Sequence, residues 1–222
     1  MLYSNPLVDA HRNYLNEPFI IRSYPLIEKV INDLNFYVSF YREGYFMTTE
    51  AYNYVPVTAT WCSREEIKGA QFIFELKDSA HYSLTVFPDK ESKEIPSVFS
   101  LNDSIRFKGH SLCIKGLPGR DLHDYIGVPF LLIIQNPRTV ASSYIGRLKV
   151  EWAEEGAGII NLRLTGTNPE KEIDFLNGLI GAYRELDLEK KNETADRTMD
   201  FVKKQMVSIK DSLGRVEFEL RR

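Results

Sequence analysis

Three patterns of apolar and polar positions follow one another along the chain. Up to about Asn35 the apolar residues Leu26, Ile27, Val30, Ile31 and Leu34 recur at helical spacing and predict an amphipathic helix. Asn16 with Pro18, and Ser23 with Pro25, read as helix starts, because a proline in the first turn loses no hydrogen bond. Pro25 therefore either begins a second helix or kinks the first. From Phe36 to about Thr165 the period changes to two. Tyr82, Leu84 and Val86 alternate with His81, Ser83 and Thr85, as do Leu148, Val150 and Trp152 with Lys149 and Glu151, and Ile160, Leu162 and Leu164 with Asn161 and Arg163. Such alternation predicts strands with one buried and one wetter face, the habit of antiparallel or mixed sheets. Pro88–Glu94 and Gly116–Arg120 supply turn residues between them.

From Pro169 onward there is no further proline and the pattern is helical to the last residue. Thr167 with Glu170 offers a capping box, and Asn168 with Pro169 offers an N-cap followed by proline at the first helical position; both place the start here. Leu188, Ala195, Val202, Ile209 and Val216 fall seven apart, interleaved with Met199, Met206, Leu213 and Leu220. Sustained for about four heptads, this stripe meets the criterion for a coiled coil. At 1.5 Å per residue the stretch from Leu188 to Leu220 extends about 50 Å, so it is expected to project; the alternative is that it packs along the chain's own sheet. Glu219-Leu220-Arg221-Arg222 is still good helix, and the chain reads as cut inside it. The expected fold is α+β: a mixed, largely antiparallel sheet with an N-terminal helix packed on it (residues 1–168), then a long, coiled-coil-like C-terminal helix (residues 169–222).

Composition narrows the function. The 222 residues are 43% apolar and 27% charged, which fits a globular protein and not a disordered or fibrous one. A net charge of -3 gives no global reason to bind the phosphate backbone, so no nucleic-acid partner is expected. The longest apolar runs, such as Pro129–Ile134, have strand length, and the first residues show neither the basic nor the apolar region of a secretory signal. Cys62 and Cys113 lack metal-type spacing, and a buried free thiol is preferred to a bridge.

Chemistry-bearing constellations are thin. Gly109-His110-Ser111-Leu112-Cys113 imitates a nucleophile elbow, but Cys113 stands where the second glycine belongs and strand then turn follows the serine. His11, His81, His110 and His123 are scattered; His110 with Cys113 is the only short nitrogen–sulfur pair, and a lone pair is poor evidence for a metal. Neither phosphate-binding glycine motif occurs. The aromatic run Phe36-Tyr37-Val38-Ser39-Phe40-Tyr41, with Tyr45 and Phe46, suggests a stacking platform for sugars or bases, although period two sends half of those rings into the core. No catalytic, cofactor or metal residue is assigned, and an assembly part is expected in preference to a catalyst.

Two segments resemble a known family. The first runs from Asn16-Glu17 through Ile20-Ile21-Arg22-Ser23 and Leu26–Leu34 to Tyr41-Arg42-Glu43-Gly44, Glu50-Ala51-Tyr52 and Pro56-Val57; the second comprises Ile159–Leu164, Asn168-Pro169-Glu170-Lys171, Phe175–Ile180, Tyr183 and Phe201–Met206. Their order is similar to that in the periplasmic domain of bacterial polysaccharide chain-length determinants, or polysaccharide co-polymerases. The size is similar to the branch fused to a cytoplasmic tyrosine autokinase. Residues 63–127 match nothing in that pattern, and Pro25 departs from an unbroken first helix. The resemblance implies a periplasmic domain of an inner-membrane protein, held by flanking membrane helices absent from this sequence. It implies ring-like homo-oligomers that regulate the length and export of capsular polysaccharide, exopolysaccharide or O-antigen by scaffolding, with the polymerase and nascent polysaccharide as partners. It implies no enzyme activity and no cofactor in this fragment, ATP and magnesium belonging to a parent kinase domain where one is present. The oligomer-packing residues expected are Leu188, Ala195, Met199, Val202, Met206, Ile209, Leu213, Val216 and Leu220. The alternative is a free-standing extracytoplasmic carbohydrate-binding module.

Overall fold

The computed structural model of the chain describes residues 15–44, 48–62, 69–86, 97–107, 110–154 and 158–220, without the side chains of 43, 62, 97, 107, 110 and 217–220. Helix α1 covers 15–21 and α2 covers Tyr24–Asp33. Pro25 begins the second helix: Ser23 is the extended N-cap residue and the proline occupies the first turn, where its missing N–H costs nothing. Helix α2 ends in a Schellman motif. Phe36 N donates to Ile31 O at 2.9 Å and Asn35 N to Asn32 O at 3.2 Å, with Asn35 at φ 54°, a left-handed conformation that asparagine tolerates better than most residues. The reversal turns Phe36 inward, where it is 2% exposed.

The fold is α+β, and every pairing between strands is antiparallel. In chain order the strands are β1 (Val38–Glu43), β2 (Thr48–Glu50), β3 (Val57–Cys62), β4 (Ala70–Leu76), β5 (His81–Val86), β6 (Ser97–Ser100), β7 (Ser104–Phe107), β8 (His110–Gly116), β9 (Pro129–Ile134), β10 (Leu148–Trp152) and β11 (Ile160–Leu164). They form a six-stranded sheet β2-β1-β9-β4-β5-β6, a three-stranded sheet β3-β8-β7 and the hairpin β10-β11. An isolated bridge among the described residues, Leu76 to Ile126, is parallel. The wholly apolar run Pro129–Ile134 becomes β9, held between β1 and β4. Phe130, Leu132 and Ile134 are buried with Phe40, Phe72 and Phe74, while Leu131 and Ile133 face the less covered side beside Tyr41 and Ile73. Sheet β3-β8-β7 contributes Val57, Ala59, Trp61, Leu112 and Ile114 to the core.

Two departures from the period-two reading have physical causes. Residues 137–147, inside the supposed all-strand section, form helix α3 (Pro137–Arg147), whose Asn136 Oδ1 accepts from Arg138 N at 2.9 Å. The signature is the same asparagine–proline pair that opens the C-terminal helix. In β5 the polar Ser83 is buried between Tyr82 and Leu84, its hydroxyl turned to Glu75 O at 3.5 Å, while Val86 is 36% exposed. Of the predicted turns, Gly116–Arg120 follows β8, with Leu117 N donating to Pro56 O at 2.8 Å and Gly119 at φ 81°. Pro88–Glu94 lies outside the described residues.

Helix α4 (Pro169–Leu220) is continuous over 52 residues. The chain divides into two compact units, Met1–Leu179 and Ile180–Arg222, so the boundary falls within α4. In the first unit α2 packs against α3, and Gly178 of α4 meets Val30 and Leu34 of α2, where a Cβ would sit 3.1 Å from each. No described helix is long and apolar enough to cross a membrane.

Tyr82 is fully buried between Phe74 and Phe99, at centroid distances of 5.6 and 5.8 Å, and its hydroxyl has no hydrogen-bond partner among the described residues. Burial, reinforced by Cys113 and Asp103, pushes this phenol up to about 12. The unfolded chain gives up the proton near pH 10, so stability is intact below that value and falls as pH rises toward 12, by about 1.4 kcal/mol per unit for this group. Tyr82→Phe is expected to leave stability at pH 7 unchanged or raise it by up to about 1 kcal/mol, and to flatten the alkaline limb. Urea unfolding at pH 7 and pH 11 checks both; a clear loss at pH 7 contradicts the unpaired hydroxyl.

Candidate functional site

Two regions of α4 concentrate its charged and exposed apolar groups, one in each unit. The first is the helix start. Asn168 Oδ1 accepts from Lys171 N at 3.3 Å and its carbonyl from Glu172 N at 3.1 Å, which makes Asn168 the N-cap and Pro169 the first helical residue. The capping box is not used: Glu170 instead accepts from Asn53 Nδ2 at 2.9 Å. With this start fixed, Lys171, Glu172, Phe175 and Leu179 are buried, although two of the four are charged.

Each buried charge finds a partner in the body. Lys171 Nζ donates to Glu50 and, at 3.1 Å, to Ser39 Oγ, while Ser39 donates to the same Glu50 oxygen at 2.7 Å. The Lys171 and Glu50 side chains are only 9% and 12% exposed. The ammonium also lies 5.1 Å from the Phe36 ring centroid and 5.8 Å from that of Tyr52, within cation–π range. Tyr52 donates to Asp174 at 2.8 Å. Arg147, at the end of α3, donates to Glu172 Oε1 at 2.7 Å and to Thr165 O at 2.9 Å, with its guanidinium 4.3 Å over the Tyr144 ring. Burial, then the bond to Asp174, holds the Tyr52 phenol far above its ordinary range; burial, then Glu172, does the same for Tyr144. Gly166 leaves room for the Glu172 carboxylate, since a Cβ there would fall 1.7 Å from Oε1. These donors and acceptors face one another, so the arrangement clamps the helix start to β1, β2 and α3.

The second region is the heptad stripe. Leu188, Ala195, Met199, Val202, Met206, Ile209, Leu213 and Val216 all lie on α4 and are all exposed, the large side chains from 49% for Val202 to 65% for Met206 and Ile209. Leu220 is the last helical residue, and its side chain is outside those described. Two ion pairs lie within the helix near the stripe, Lys191 to Asp187 at 2.7 Å and Arg197 to Glu193 at 2.5 Å. Phe201 and Val207 add exposed apolar surface beside the stripe.

The remaining sequence candidates disperse. Ser111 lies inside β8, opposite Cys62 and Arg106 and hydrogen-bonded to Ser104, not on a strand-to-helix turn. Cys113 carries a free thiol, half-buried, 3.6 Å from Asn102 O. His81 pairs with Asp78 at 2.9 Å, His123 is exposed in a short 3₁₀ turn, and His11 and the His110 side chain are outside the described residues. Among the described residues no three His, Cys, Asp or Glu side chains gather as a metal site would require. Of the aromatic run, Phe36, Tyr37 and Phe40 fill the core, whereas Tyr45 and Phe46 are outside the described residues. No family model matches the chain, and no curated protein matches it.

The ionic clamp was not anticipated from sequence, yet a signal for it exists. Lys171, Phe175 and Leu179 are four apart, so a helix that buries the two apolar residues buries the lysine too. Lys171→Met alone is expected to cost about 3–5 kcal/mol, because it strands Glu50 without its cation, whereas Lys171→Met with Glu50→Leu costs less than the single change. Urea unfolding of the two single variants and the double closes the cycle; additive costs contradict the coupling.

Proposed function

We propose that this chain is the assembly domain of a polysaccharide chain-length determinant, acting in the periplasm as an oligomeric scaffold for capsular polysaccharide, exopolysaccharide or O-antigen. The two segments resembling that family support the reading. The observation that contributes most is the exposed heptad stripe on a helix that continues unbroken from the body.

Burying a large aliphatic side chain is worth about 1.5–3 kcal/mol, and the stripe presents seven such side chains, Leu188, Met199, Val202, Met206, Ile209, Leu213 and Val216, to solvent in a single copy. A regular apolar stripe of this length gains that energy by meeting a like stripe on a neighbour. Copies held together in this way form a scaffold, and the scaffold sets how long a growing polymer stays with its polymerase. The chemistry is the polymerase's; the contribution of this domain is assembly. Closing such an assembly into a ring requires a heterologous contact, one surface patch meeting a different one on the next copy. A kinase domain in the parent protein would supply the ATP and magnesium chemistry separately.

Ile209→Glu combined with Leu213→Glu places two charges at positions already 65% and 60% exposed, so the body is expected to keep its melting temperature. In cells making a polymer under the parent protein's control, the double variant is expected to shift the polymer length distribution on gels. An unaltered distribution contradicts the role of the stripe.

A further inference from the structure

Resting on the self-assembly reading, we infer that the distal halves of α4 from neighbouring copies associate in parallel and in register, with Asn192 setting that register. The spacing fixes the heptad phase. Met199, Met206 and Leu213 fall at a positions, and Leu188, Ala195, Val202, Ile209 and Val216 at d. The next a position toward the body is Asn192, a polar residue in the apolar series. A lone asparagine at an a position lowers the stability of a coiled coil and selects its register, because its amide is satisfied only opposite another asparagine.

The flanking charges agree with that alignment. Positions g are Arg184, Lys191, Thr198, Gln205 and Ser212, and positions e are Glu189, Asp196, Lys203, Lys210 and Glu217. In a parallel pair each g residue meets the e residue five places later on the neighbour. Arg184 then meets Glu189 and Lys191 meets Asp196, twice over in a pair, and no like charges oppose between g and e positions; the a position beyond Asn192 is Glu185, where the apolar stripe ends. Lys191 already has an intrahelical contact with Asp187, so Asp196 of a second copy would extend that ion pair. A slip of one heptad sets Lys191 against Lys203 and Asn192 against Met199. The antiparallel arrangement with the best e-position charges, Asp196 beside Lys203 and Glu189 beside Lys210, seats the Asn192 amide against Ile209. Leu213 at a and Ile209 at d, the reverse of the two-stranded preference, favour more than two helices, as a ring-like assembly needs.

Disulfide trapping tests the alignment, using the full chain with Cys62→Ser and Cys113→Ser. Leu213→Cys is expected to cross-link with itself under mild oxidation, and a mixture of Leu188→Cys and Leu213→Cys chains to give no mixed dimer, because those sites lie about 38 Å apart in the parallel register. Mixed dimers, or no cross-link in either sample, overturn the inference. Adding Asn192→Leu is expected to permit mixed cross-links between Met206→Cys and Leu213→Cys chains, which the asparagine prevents; an unchanged pattern removes Asn192 from the role. Arg184→Glu is expected to weaken self-association about fivefold, and Glu189→Arg in the same chain to restore it; no rescue argues against the parallel charge pairs. Antiparallel cross-links alongside altered polymer lengths in the Ile209→Glu, Leu213→Glu cells refute the register and leave the proposed function. Parallel cross-links with unaltered lengths do the reverse.

Discussion

The buried pair between Lys171 and Glu50 is the constraint on which the body of this molecule turns. Helix α4 has to bury Phe175 and Leu179 to close the core against Phe36 and Tyr144, and the helical period then draws Lys171 under the same surface. An ammonium in that position is tolerable only with an anion beside it, which the short strand β2 supplies as Glu50 and β1 secures through Ser39. Removing either partner would leave the other as an uncompensated buried charge, and the same rotation of the helix sets Glu172 on Arg147 and Asp174 on Tyr52. Strands β1 and β2, more than a hundred residues earlier in the chain, thereby fix the start of helix α4.

Along that helix the physics changes within a few turns. Its first turns are stabilised by burial, with an N-cap, a proline and interlocking ion pairs. Beyond Ile180 the helix forms a unit of its own, where the intrahelical pairs Asp187–Lys191 and Glu193–Arg197 are worth only a few tenths of a kcal/mol each. Long helices draw most of their stability from tertiary packing, and a stripe of exposed Val, Ile, Leu and Met is the surface such packing uses. The first turns are thus held by partners within the chain, while the stripe beyond Ile180 is exposed.

Much of this was legible in the sequence because its signals are local. The 3.6-residue spacing in α2, the alternation in β10 and β11, and the Asn168-Pro169 start of α4 each identify their element unaided. Helix α3 was hidden by its position between two strand-like runs, although Asn136-Pro137 announces it. In β5 alternation gave the wrong account of Ser83, since coverage on both faces is a tertiary fact. The stripe from Leu188 to Val216 could be read directly, because periodicity in a helix needs no knowledge of the rest of the fold. The clamp could not, since Glu50, Tyr52, Arg147 and Lys171 come together only when β2, α3 and α4 have docked.

Whether the stripe on α4 is an assembly surface is tested by the molar mass of the intact chain, measured by light scattering across a concentration series. An assembly surface requires a mass that rises to a multiple of the monomer as concentration increases, with helix content by circular dichroism rising alongside it. A mass that stays monomeric at every concentration while the chain remains folded would contradict it.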